Sequence, residues 1–209
     1  MRLLAVVALE FCGSHHLIDS AAALIDSPIV YERSVGIGML IGLHPDDIPR
    51  KLLLRQEDDP EIHLSMLQGR LTLGDTEAMH EVLDMLHGWD TIPDGLRTGA
   101  AGCLLYMAFT VADDVPAASI TALLDHDDAW IRGATAALAG QQRGRSFVAQ
   151  LKSLEDDESQ TDLGLTVGQL ARMALDRIAG RRRPIVPAWP ARLRTSGIDG
   201  MKPSQEGFF

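Results

Sequence analysis

The chain has 209 residues, of which 46% are apolar and 5% aromatic, with a mean hydropathy of +0.04 and a formal charge of −10. That apolar share suffices for one ordinary domain or one extended array, and it excludes disorder over the whole length. The negative charge excludes a general binder of nucleic acid or anionic membrane and suits a basic partner.

Residues 2–12 are expected to form a leading helix. Their apolar run is short, and Glu10 and Phe11 stand where a secretory signal would carry small residues. Cys12 and Cys103 are the only cysteines, each inside an apolar run, and read as reduced core residues rather than a disulfide framework. A cytoplasmic location is the expectation. The run from Ala100 to Ala112 is too short for the roughly 20 residues that cross a bilayer, so no membrane partner is predicted.

Helical periodicity then dominates, as in Met79, Val82, Leu83 and Leu86, or Ile120, Leu123 and Leu124. Breaks recur at Asp26-Ser27-Pro28, His44-Pro45-Asp46, Asp58-Asp59-Pro60, Gly74-Asp75, Pro93-Asp94-Gly95, Asp113-Asp114, Asp127-Asp128 and Asp156-Asp157. They predict helices of about ten to sixteen residues, paired over 15–42, 46–73, 76–110, 116–140 and 146–179. After every second break an aliphatic anchor returns, at Val30, Ile62, Leu96, Ile131 and, less clearly, Val167. This drifting period of somewhat over thirty residues is the signature of stacked helix pairs. Small residues, among them Gly36, Gly38, Gly69, Gly102 and Ala134, are expected at close helix contacts.

The segment from Leu123-Leu124-Asp125-His126-Asp127-Asp128 through Ala129-Trp130-Ile131-Arg132 to Gly140 resembles a HEAT repeat of the short bacterial type, and Asp58-Asp59-Pro60-Glu61-Ile62-His63 resembles it with His in place of Arg. The resemblance covers about residues 14–179. It implies an all-α solenoid, an α-α superhelix of about five helix pairs, in which Asp128 and Arg132 join a ladder between repeats and Asp94 and Arg97 match that ladder loosely. The function expected of such an array here is that of a non-catalytic scaffold or adaptor that binds another protein.

Residues 180–209 change character and form the second predicted region, a basic tail with Pro184, Pro187 and Pro190 around Trp189. Residues 181–209 hold six Lys and Arg against two Asp and Glu, a balance of +4, which leaves −14 on the body. Nucleic-acid binding through Arg181, Arg182 and Arg183 is therefore the one electrostatic exception to a body that repels phosphate.

One face carries enzyme-like spacing. Glu77, His80, Asp84 and His87 fall three and four residues apart on one helix, as metal ligands can, but the opposite face is apolar and an ordinary amphipathic helix needs the same pattern. The pair His80-Glu81 is similar to the His-Glu pairs of deoxyhypusine hydroxylase, a HEAT-repeat di-iron enzyme. A di-iron centre needs several such pairs and this chain has one, so no catalytic residue, metal or cofactor is assigned. The acidic clusters at Asp58-Asp59, Asp127-Asp128 and Asp156-Asp157-Glu158 are accounted for by helix capping. What remains is a set of partner-binding candidates: Trp130, Arg132, Arg97 and His63 near the starts of second helices, and Trp189 in the tail, facing another protein that is basic or extended. Arg33 shares that position in the first pair.

Overall fold

Aspartate side chains set the helix starts. Asp59, Asp75 and Asp128 each stand in extended backbone just before a helix and accept hydrogen bonds from the second and third amides beyond them, at 2.8–3.2 Å. These amides have no carbonyl partner within their own helix, so a carboxylate there replaces the missing bond and meets the positive helix end. The last helix uses a capping box, in which Thr166 Oγ1 accepts from Gln169 N and Gln169 Oε1 accepts from Thr166 N.

The computed structural model describes residues 14–43 and 47–181. Its α-helices are α1 (Ser14–Ile25), α2 (Val30–Ile41), α3 (Arg50–Leu53), α4 (Pro60–Thr72), α5 (Thr76–His87), α6 (Asp94–Thr110), α7 (Ala117–Leu124), α8 (Ala129–Gln142), α9 (Val148–Ser153) and α10 (Val167–Ile178). Among the described residues there is no strand, only an isolated antiparallel bridge between Gln160 and Thr166. The expected leading helix, Cys12, the His44 turn and Trp189 with the rest of the tail beyond Arg181 lie outside the described residues.

The helices pair in chain order: α1 with α2, α3 with α4, α5 with α6, α7 with α8 and α9 with α10. The second helices then pack on one another in sequence, α2 on α4, α4 on α6, α6 on α8 and α8 on α10. The architecture is an all-α, solenoid-like array in which each pair covers the face its neighbour cannot bury alone. Close approach depends on missing side chains. A Cβ on Gly36 would lie 2.8 Å from the Ala21 carbonyl oxygen, one on Gly69 2.9 Å from Leu53 Cδ1, and one on Gly140 2.8 Å from Ala174 Cα. Gly38 departs from expectation: it is exposed, with open space where a Cβ would stand.

Two features of the sequence reading need correction. Helix length is less even than ten to sixteen residues: α3 has 4, α9 has 6, α7 has 8 and α6 has 17. The short helix α3 buries Leu52 and Leu53, and the exposed Leu54 and a polar run from Arg55 to Asp59 follow it. The anchors also do not share one register. Ile62, Leu96 and Ile131 are third residues of their helices, whereas Val30 and Val167 are first residues. Burial does not follow the register either: Val30 is 41% exposed, but Val167 is as fully buried as Ile62 and Ile131, and Leu96 is half-buried.

The core divides along α4. Ile62 and Met66 pack with Ala21, Ile25, Ile37, Leu40, Leu52 and Leu53, while Leu64, Leu67 and Leu71 face the larger cluster that runs on through α10. A helix buried on two sides cannot show a single apolar stripe.

Candidate functional site

The starts of the second helices form one edge of the array. Arg33, His63, Arg97 and Arg132 each stand four residues after the residue that precedes their helix, Ile29, Asp59, Pro93 and Asp128. Structurally equivalent positions in a stack lie side by side, so any long polar side chain here can reach the turn of the next pair.

Two of the four do so. Arg132 donates through Nε and Nη2 to Asp157 Oδ2 at 3.0 and 2.7 Å, and through Nη1 to the carbonyls of His126 and Asp127 at 2.7 Å each. Arg33 repeats the pattern with both oxygens of Glu57, at 3.0 and 3.1 Å, and the Ser27 carbonyl at 3.1 Å. A planar guanidinium suits both tasks because its fork can serve a carboxylate and a carbonyl at once. Burial alone would raise the Asp157 carboxyl, but the Ser159 hydroxyl and amide and the Arg132 guanidinium outweigh it and hold it below the usual carboxylate range. Asp157 is thus a ladder partner and not the helix cap that its acidic cluster suggested, whereas Asp59 and Asp128 are caps as expected.

The other two rungs are missing, and for Arg97 the reason is the residue on the receiving side. Ser27, Glu57 and His126 each accept the backbone amide two residues later, so they occupy equivalent places in their turns. Glu57 offers Arg33 a carboxylate. His126 offers Arg97 none, since its Nδ1 already accepts the Asp128 amide at 2.9 Å. Arg97 turns back instead, to the Ile92 carbonyl at 3.2 Å and to Asp94 at 2.9 Å, with its guanidinium carbon 5.5 Å from the centre of the Trp89 ring. The His126 ring meets Trp89 edge-on at 5.5 Å. Asp94 and Arg97 therefore pair inside one helix turn and make no rung. His63 pairs with Glu81 of α5, its Nε2 2.6 Å from Oε1, while Arg70 holds the other oxygen at 3.3 Å.

Where the rung between the third and fourth pairs is absent, the edge opens into a cleft of about 240 Å³ lined by Trp89, Arg97, Thr98, Asp128, Trp130 and Gln160, with Ala129 and Asp162 completing it. The half-buried Trp130 indole packs on the larger core and donates from Nε1 to the Thr98 carbonyl at 3.3 Å. Thr98 in turn donates from Oγ1 to Asp162 at 3.2 Å. The cleft combines aromatic walls, two carboxylates and one guanidinium, and its volume admits one side chain rather than a large ligand.

Of the candidates, Trp130 and Arg97 line this cleft, Arg132 sits in the adjoining ladder rung, His63 lies one pair away, and Trp189 is outside the described residues. Trp89, Thr98, Gln160 and Asp162 were not legible as site residues. No spacing links a 3₁₀ turn at Trp89 to the loop at Gln160, and only stacking joins them.

The enzyme-like face does not assemble. Glu77, His80, Asp84 and His87 are exposed on α5, and among the described residues no three His, Cys, Asp or Glu side chains come together in a way that could hold a metal ion. Cys103 is buried, and burial pushes its thiol up to about 12, which suits a core residue and not a nucleophile. No described helix is long and apolar enough to cross a membrane. No protein-family model matches the sequence, and no curated protein matches it.

Proposed function

We propose that this protein is a non-catalytic, cytoplasmic protein-binding scaffold of the HEAT-like kind, and that the cleft at Trp130 receives a basic side chain from an extended segment of its partner. The observation that carries this reading is the interruption of the arginine ladder at the place where two indoles and two carboxylates surround an open space. A lysine or arginine stem gains from aromatic walls while its charged end meets Asp128 and Asp162. The acidic body steers such a segment toward the array, which raises the association rate most at low salt.

A randomised peptide library selected against the whole protein tests the proposal. Wild type is expected to enrich peptides with a Lys or Arg at a fixed position, and both Trp130→Ala and the milder Asp162→Asn are expected to lose them. Enrichment with no basic position, or peptides that bind Asp162→Asn and Trp130→Ala as tightly as wild type, would overturn it.

A further inference from the structure

At the opposite end of the second helices, two arginines carry charge that no carboxylate among the described residues pairs with. Helices α8 and α10 approach most closely around Gly140 and Ala174. One turn further on stand Arg143, three residues after Gly140, and Arg177, three residues after Ala174. Two helices that touch at one level bring the residues just beyond it near one another as well, so Arg143, directly after α8, and Arg177 fall at one corner of the array, close enough for the charge of Arg143 to act on Arg177.

Three separate features at this corner oppose folding. Arg177 Nε is buried without a hydrogen-bond partner, and a buried charged donor normally has one. Burial and the neighbouring charge of Arg143 lower the pKa of Arg177, the mark of a cation held beside another. Arg143 itself takes a left-handed backbone with φ of 55°, the sole non-glycine residue to do so among those described. Backbone of that kind is unfavourable for a residue with a Cβ, and it persists where surrounding structure or function demands it. The neighbouring polar groups are satisfied: Arg181 pairs with Asp176 at 2.7 Å, Arg172 donates to the Glu155 carbonyl, and Gln142 donates to the carbonyls of Ala112 and Val115.

We propose that Arg143 and Arg177 form a binding site for a phosphate group, either free or carried by a phosphorylated partner. A phosphate carries a charge of about −1.5 to −2 and three accepting oxygens, which matches two guanidinium forks, whereas one carboxylate would leave a cation uncompensated. The site is independent of the Trp130 cleft, which lies at the other end of α8.

The test is a ³¹P NMR titration of the full chain with inorganic phosphate, at ionic strength held constant with chloride. Saturable broadening is expected, with affinity at least tenfold weaker in Arg143→Gly and in Arg177→Gln and unchanged in Arg172→Gln. Glycine fits the left-handed backbone, so Arg143→Gly keeps the experiment readable if Arg177→Gln disturbs folding. Broadening that never saturates, or variants that titrate like wild type, would mean an adventitious ion only and overturn the proposal. A phosphoserine peptide distinguishes the sources. Binding at least tenfold tighter than inorganic phosphate assigns the site to a phosphorylated partner, and equal binding assigns it to free phosphate. Equal binding of the unphosphorylated peptide would count against the site altogether.

Discussion

Arg132 gathers two carbonyls of its own turn and a carboxylate of the next into one planar group, with 15% of its side chain exposed and 17% of that of Asp157. Removing the guanidinium leaves the half-buried His126 carbonyl without its donor and Asp157 with only Ser159, while the exposed Asp127 carbonyl turns to water, so Arg132→Met is expected to cost about 1–3 kcal/mol in denaturant unfolding at neutral pH. Because the Asp157 carboxyl is held below its usual range in the folded protein, the contribution of this pair is complete above the ordinary carboxylate pKa of about 4 and fades as pH falls through the depressed folded value. The difference between wild type and Arg132→Met should therefore shrink on acidification below about pH 4. A difference independent of pH would show that the Asp157 bond contributes nothing. The sequence marked Arg132 through the resemblance of its Asp128-to-Arg132 segment to a HEAT repeat. The role of His126 was hidden, because a histidine in a turn reads the same whether or not it displaces a carboxylate.

Among the elements, the contact between α8 and α10 rests on an absent side chain. Gly140→Ala would place a methyl 2.8 Å from Ala174 Cα and 2.9 Å from its Cβ, with backbone and not a flexible chain end in the way. Helix propensity would favour alanine by up to ~1 kcal/mol, but overpacking costs ~1–3 kcal/mol, so the substitution is expected to lower the melting temperature. An unchanged or raised Tm would mean that the two helices can part without loss. Helix starts were legible because Asp59, Asp75 and Asp128 announce them chemically. Helix lengths were not, since α3 spans only four residues and no break in the sequence falls directly after Leu53.

For the molecule as a whole, the two apolar clusters that meet on α4 differ in extent. The first is confined to the first two pairs, and the second joins the remaining three. In an array where each pair contacts only its neighbours, opening starts where fewest contacts resist it. Native-state hydrogen exchange is expected to show the amides of α1 and α2 exchanging before those of α6 and α8. Equal protection throughout would indicate a single cooperative unit that the divided core does not anticipate.

By itself, the sequence determined that the described chain is helical, where the pairs divide and that Asp59 and Asp128 cap helices, because periodicity and capping act over a few residues; Asp157, read the same way, proved a ladder partner. Tertiary structure alone decided the rest: which arginines find a carboxylate, that Trp89, Trp130 and Gln160 border one cleft, and that Arg143 and Arg177 stand together. Those residues are far apart in the chain, and the distances between them depend on how closely successive pairs stack.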